Sequence, residues 1–120
     1  MIMKENILVD KSIEFAAKII KLQMHLVKDK REAVISKQIV KSGTSIGANI
    51  NEASYGQSKA DFISKLHIAL KETAETEYWL KLLVKSELLA EKDGEALTTD
   101  CLEIKKLLIS SINTAKKNNV

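Results

Sequence analysis

The sequence contains no proline. Average usage would place about six in a chain of this length. Proline inside a helix removes a backbone donor and clashes with the preceding turn, so its absence suits long uninterrupted helices. Cysteine occurs once, at Cys101. No internal disulfide can form, and the fold needs no oxidising compartment. The aromatic residues are Phe15, Tyr55, Phe62, Tyr78 and Trp79. So few rings leave little for stacking on single-stranded bases, and Tyr55 and Trp79 are the two to consider. No apolar run approaches the ~18 residues that mark a transmembrane helix. The opening stretch, residues 1–13, carries Lys4, Glu5, Asp10 and Lys11 and lacks the apolar centre of a secretory signal. A soluble cytoplasmic protein without membrane partners is the expectation.

What is present describes one globular domain. The chain has 120 residues, 45% of them apolar and 29% charged, close to the average for a folded domain. Its net charge of +3 is small, but the charge is unevenly spread. Residues 18–41 hold seven basic side chains (Lys18, Lys21, Lys28, Lys30, Arg31, Lys37 and Lys41) against Asp29 and Glu32. Residues 72–103 hold nine acidic side chains against Lys81, Lys85 and Lys92. Such a split serves a polyanion on one face, or two segments that pack side by side and attract each other. The sequence leaves both open.

Apolar periodicity predicts an all-α protein, an antiparallel up-down-up-down four-helix bundle spanning residues 1–120, with helices at about 10–28, 33–55, 59–85 and 94–117. The first carries two apolar stripes, one of Ile13, Ala16, Ala17, Ile20, Met24 and Val27, the other of Phe15, Ile19, Leu22 and Leu26. Two stripes predict a wide buried face, with Asp10 as N-cap. The second helix must pass through Ser42 to Asn49, where Gly, Ser, Thr and Asn are weak helix formers. Ile35, Ile39, Ile46, Ile50 and Ala53 nevertheless keep helical spacing through it. Gly43 and Gly47 are four apart and would let another backbone approach closely. A phosphate-binding loop fits poorly, because Ala48 and Asn49 follow Gly47 where that motif needs Lys and Ser or Thr. Gly56 ends the second helix, and Ser58 with Asp61 reads as the cap of the third. The third has a core stripe of Phe62, Leu66, Ala69, Thr73, Thr76, Leu80 and Leu83, but Glu72 to Glu77 is polar on almost every side, as if facing solvent, a pore or another subunit. Gly94 is placed at the start of the fourth helix, and residues 117–120 are expected to fray.

Little in the sequence supports catalysis. The di-iron pattern requires Glu three residues before His, whereas Leu22 precedes His25 and Ser64 precedes His67. Cys101 lies within an apolar stripe and reads as a small core residue. Glu72 and Glu75 are spaced to hold a cation, although a solvated face has the same spacing. No catalytic residue, metal ligand or cofactor is assigned. Lys37 and Lys41 form a basic ridge with Lys30 and Arg31 near its start, suited to phosphates. Ser45, Asn49, Glu52, Glu72 and Trp79 are the candidates for a buried polar network or subunit contact.

The segment Ser36 to Ala53, with its Ser45-x-x-x-Asn49-Ile50-x-Glu52-Ala53 core, resembles the 23S rRNA-intervening-sequence proteins. Gln57 to Phe62 and Ile68 to Leu80 extend the resemblance, which covers residues 4–89. It implies an antiparallel four-helix bundle that assembles as a ring-shaped homopentamer, with no catalytic residues and a poorly defined activity. More distantly, the chain is similar to accessory proteins of diversity-generating retroelements, which are basic pentamers that bind nucleic acid and a reverse transcriptase. The expectation is a non-enzymatic homo-oligomer that binds RNA or DNA through Lys30, Arg31, Lys37 and Lys41. The alternative is a protein adaptor or scaffold that uses the Glu72–Glu77 segment and Trp79. A cation-dependent enzyme built on Glu72 and Glu75 is a third class.

Overall fold

Helical periodicity persists from end to end because nothing in the four apolar segments breaks it. In the computed structural model, which describes residues 2–118, the chain forms α1 (Ile2–Lys28), α2 (Val34–Ala53), α3 (Lys59–Lys85) and α4 (Glu91–Lys117). Each helix packs on its neighbours in a closed square: α1 on α2 and α4, α3 on α2 and α4, with no close backbone approach between the diagonal pairs among the described residues. This is the expected four-helix bundle, about 52 × 22 × 19 Å.

Several boundaries differ from the expectation, each for a local reason. α1 begins at Ile2 rather than near Asp10. Leu8, fully buried, and Ser12 extend the stripe of Phe15, Ile19, Leu22 and Leu26 by two turns, so Asp10 lies within the helix and caps nothing. α2 stops at Ala53, short of Tyr55. The amides of Ser54, Tyr55 and Gly56 reach back to the carbonyls of Asn51, Glu52 and Ala53 at 3.0–3.2 Å, which tightens the end. α4 starts at Glu91, so Gly94 sits in its first turn, buried against Val84 of α3. α3 matches its expected bounds. Ser58 Oγ accepts from Asp61 N at 3.0 Å as its cap. α4 runs to Lys117, and the rest of the tail expected to fray, residues 119 and 120, lies outside the described residues.

The wide buried face expected of α1 is corrected too. Only its second stripe is core. Ile13, Ile20, Met24 and Val27 are 61%, 44%, 60% and 41% exposed. The reason lies in α2, whose small residues bring the α1 backbone close. A Cβ placed on Gly43 would stand 2.9 Å from Ile19 Cγ2, and one on Gly47 would stand 2.8 Å from Ser12 Oγ. With α1 seated so closely on α2, its core stripe fills the interior and the other stripe turns outward.

Both odd-to-even connections lie at one end of the bundle and use left-handed backbone at residues that are not glycine. Arg31 has φ 56° and Glu87 has φ 62°. At Glu87 the amide reaches Val84 O at 3.0 Å and Leu88 N reaches Leu83 O at 2.9 Å, a Schellman closure of α3 in which glycine is the usual occupant.

Candidate nucleic-acid interface

The basic end is built by Glu32. Its carboxylate accepts the amides of Ile35 and Ser36 at 2.8 Å and of Val34 at 3.0 Å, the open donors that begin α2. Burial alone would raise the carboxyl pKa, but these three backbone bonds outweigh it and hold it below its ordinary value. The cap fixes the α1–α2 turn, which carries Lys30 and Arg31, against the helix that carries Lys37 and Lys41 one and two turns on. All four side chains are exposed, and none makes an ion pair among the described residues. Lys41 is near enough to Glu72 of α3 to favour that carboxylate electrostatically, so the ridge is freest at Lys30, Arg31 and Lys37.

Four other lysines are engaged. Lys18 reaches Asp100 at 2.7 Å and Lys11 reaches Glu103 at 3.2 Å, both from α1 to α4. Lys65 reaches Glu52 at 3.1 Å, and Lys105 reaches Glu77 at 3.3 Å. The basic and acidic segments therefore attract each other in part, along the α1–α4 seam. That seam opens toward the basic end into a cleft of about 880 Å³, with Lys21, His25 and Lys30 on the α1 side and Glu87, Glu91 and Asp93 on the other.

Of the five residues expected to form a polar network, Asn49 meets Ser45 and Glu52 reaches the neighbouring helix, whereas Glu72 and Trp79 join neither. Asn49 Nδ2 donates to Ser45 O at 2.9 Å and Ser45 Oγ to Lys41 O at 2.7 Å, all within α2. Glu52 ties α2 to α3 through Lys65. Trp79 Nε1 donates to Glu75 at 3.1 Å, and its ring meets that of Tyr78 edge-on with centroids 5.1 Å apart. Glu72 is half-buried, and its pKa is raised, first by burial and then by Glu75, against Lys41 and Lys71. Between α2 and α3 a polar link does cross the interior, joining Thr76 to Ser42. The signal for it was two threonines, Thr73 and Thr76, on a stripe that is otherwise apolar.

Cys101 is fully buried in the core, its Sγ 3.5 Å from Thr73 O, and burial pushes the thiol up to about 12. A thiol so rarely ionised is a packing residue, not a nucleophile. Among the described residues no three His, Cys, Asp or Glu side chains are grouped as metal ligands, and no helix is long and apolar enough to cross a membrane.

Residues 4–110 match the family described as 23S rRNA-intervening sequence protein. Nothing matches among curated proteins. Among solved structures, the chain is similar to a protein of unknown function from the S23 ribosomal protein family of Bacteroides thetaiotaomicron VPI-5482. The two share 55% identity over 92% of this chain and 98% of that one, with a TM-score of 0.91.

Proposed function

Starting from the fact that the chain belongs to the 23S rRNA-intervening sequence protein family, we propose that it is a non-enzymatic, self-associating four-helix bundle that binds RNA through its basic end. The observation that carries this reading is the clustering of exposed cations on one capped turn and the first two turns of α2. Lys11, Lys18, Lys65 and Lys105 are paired with carboxylates, whereas Lys30, Arg31 and Lys37 stand exposed at one end on a turn held rigid by Glu32. A rigid cluster of unpaired cations suits phosphate contacts, which position a nucleic acid without reading its sequence.

Self-association is supported by the outward stripe of α1. Ile13, Ile20, Met24 and Val27 form one apolar face on a helix whose core side is already filled, and a contiguous exposed apolar face marks an interaction site. Copies in a ring would multiply weak phosphate contacts without new ones. The alternative of a protein adaptor draws on the Glu72–Glu77 segment and on Tyr78, 59% exposed and edge-on to Trp79.

The test is RNA binding against salt for the wild type and a Lys37→Glu/Lys41→Glu variant, with sedimentation of Met24→Asp alongside. We expect affinity to fall steeply with salt, and the double variant to lose about tenfold or more at low salt. Met24→Asp should shift the protein toward the monomer. Absence of salt-sensitive binding, or an unaltered double variant, overturns the RNA reading. A defined protein partner that survives nuclease treatment would favour the adaptor.

A further inference from the structure

The α1–α4 seam is the loosest of the four in the bundle, and toward the basic end it opens into the cleft of about 880 Å³. The floor of this cleft is apolar, laid by Leu22 of α1, by Leu88 and Leu89 of the α3–α4 connection and by Leu97 of α4. Lys21 and Lys30 stand on one side and Glu87, Glu91 and Asp93 on the other, all of them exposed.

The two walls carry opposite charge but do not close on each other. Lys18 and Asp100, the lining residues farthest along α1 and α4 from that end, meet at 2.7 Å. Past them no ion pair crosses the cleft. Lys21, Lys30, Glu87, Glu91 and Asp93 make none among the described residues, and His25 turns to Asp29 on its own side at 2.8 Å. An apolar floor between unpaired walls of opposite sign is complementary to a body that carries both signs. The acidic wall repels a polyanion, which sets the cleft apart from the phosphate contacts proposed for the turn beside it. From Glu91 to Asp100 the α4 wall runs roughly 14 Å at the helical rise, and the cleft is open to solvent rather than enclosed. A small molecule needs most of its surface buried, whereas such a groove suits one face of a helix. Both walls are helices whose backbone groups are largely spent on their own turns. An extended peptide would find no ladder there, but a helix brings its backbone already bonded.

We propose that this cleft receives an amphipathic helix of a partner protein, one whose apolar stripe has acids along one edge and bases along the other. The stripe covers the leucine floor, the acids meet Lys21 and Lys30, and the bases meet Glu91 and Asp93. The proposal rests neither on the RNA reading nor on the α3 face around Tyr78, and it leaves Arg31, Lys37 and Lys41 free.

The test uses three labelled helical peptides with blocked ends, each long enough to span the groove and sharing one leucine stripe. The first has Glu on one flank and Lys on the other, the second Glu on both, the third Lys on both. Fluorescence anisotropy at low salt measures their binding to the full chain. The mixed peptide should bind about fivefold or more tighter than either uniform one, the scale of a few exposed ion pairs. Lys21→Glu should move the preference toward the Lys-flanked peptide, and Glu91→Lys toward the Glu-flanked one. Ala96 is an exposed residue of α4 on the cleft lining, so Ala96→Trp should block all three peptides without touching the core. Equal affinity for the three peptides, tightest wild-type binding of a uniform one, preferences unmoved by both charge reversals, or full binding to Ala96→Trp overturns the proposal. If Ala96→Trp instead sediments as a smaller species than the wild type, the cleft belongs to a second copy of the chain, and the partner reading is overturned as well.

Discussion

Thr76 Oγ1 lies 2.9 Å from Ser42 Oγ, in the interior between α2 and α3. Ser42 is 1% exposed and Thr76 0%. Thr76 Oγ1 is also 2.8 Å from Glu72 O, and Ser42 Oγ has a longer contact of 3.3 Å with Ile39 O. A threonine hydroxyl has one proton, so Thr76 donates to one of its neighbours and accepts from Ser42 if that neighbour is Glu72 O. The pair adds a directional link inside an α2–α3 interface whose buried contacts are mostly apolar and tolerant of sliding, with Lys65–Glu52 the ion pair at its edge.

Thr76→Val keeps the side-chain shape and removes the hydroxyl. Ser42 is left with its weaker backbone contact, and we expect a loss of about 1–3 kcal/mol. Ser42→Ala combined with Thr76→Val removes both partners, and the double variant should be more stable than the sum of the single losses predicts. Urea denaturation of the four proteins measures the coupling. Strict additivity would show that the two hydroxyls do not depend on each other.

The approach of α1 to α2 has its own test at Gly43. Alanine is a better helix former than glycine by about 1 kcal/mol. That gain is opposed by Ile19, whose Cγ2, Cγ1 and Cβ would stand 2.9, 3.1 and 3.3 Å from the new methyl. Ile19 is fully buried and β-branched, so it has neither space nor a spare rotamer to yield. Overpacking of this kind costs typically ~1–3 kcal/mol, and Gly43→Ala should therefore lower the melting temperature. An accompanying Ile19→Val should recover part of the loss. A more thermostable Gly43→Ala would mean that α1 shifts freely on α2.

These residues also show how far the sequence could be read. The helix through Ser42 to Asn49 was legible because its isoleucines kept their spacing, and the purpose of Gly43 and Gly47 was legible because four-residue spacing puts them on one face. Which helix would approach was not, since that depends on packing. The two stripes of α1 looked equivalent because both are apolar with the same period. Only the close seat on α2 decides that Phe15, Ile19 and Leu22 go inward and Ile13, Ile20 and Met24 outward. The start of α1 was misplaced because Asp10 resembles a cap and Leu8 alone marks the earlier turns. At the basic end, Lys30, Arg31, Lys37 and Lys41 were visible as a charge cluster. The capping role of Glu32 was hidden, because its carboxylate reaches α2 across Ala33 from a turn whose backbone, left-handed at Arg31, the sequence does not announce.

Two carboxylates with opposite shifts predict a pH dependence that separates them. Glu32 is held below the ordinary value of 4.5: burial opposes its charge, but the amides of Ile35, Ser36 and Val34 prevail. A lowered pKa means that the unfolded chain binds the proton first. The stability Glu32 supplies is thus complete above about 4.5 and is lost as pH falls through its folded value. Glu72 has the other sign. Burial and Glu75 raise it above 4.5 despite Lys41 and Lys71, so its charged form weakens the fold at neutral pH, and protonation relieves this as pH falls through the raised value. Glu32→Ala should cost about 1 kcal/mol at pH 7, the scale of a lost helix cap, and its deficit should shrink in acid. Glu72→Gln should instead gain a little at pH 7, no more than about 0.5 kcal/mol because solvent screens a partly exposed group, and that gain should vanish on acidification. Denaturation midpoints measured from pH 7 to pH 3 resolve the two curves. If both variants move the same way at pH 7, either the cap or the buried charge has been misidentified.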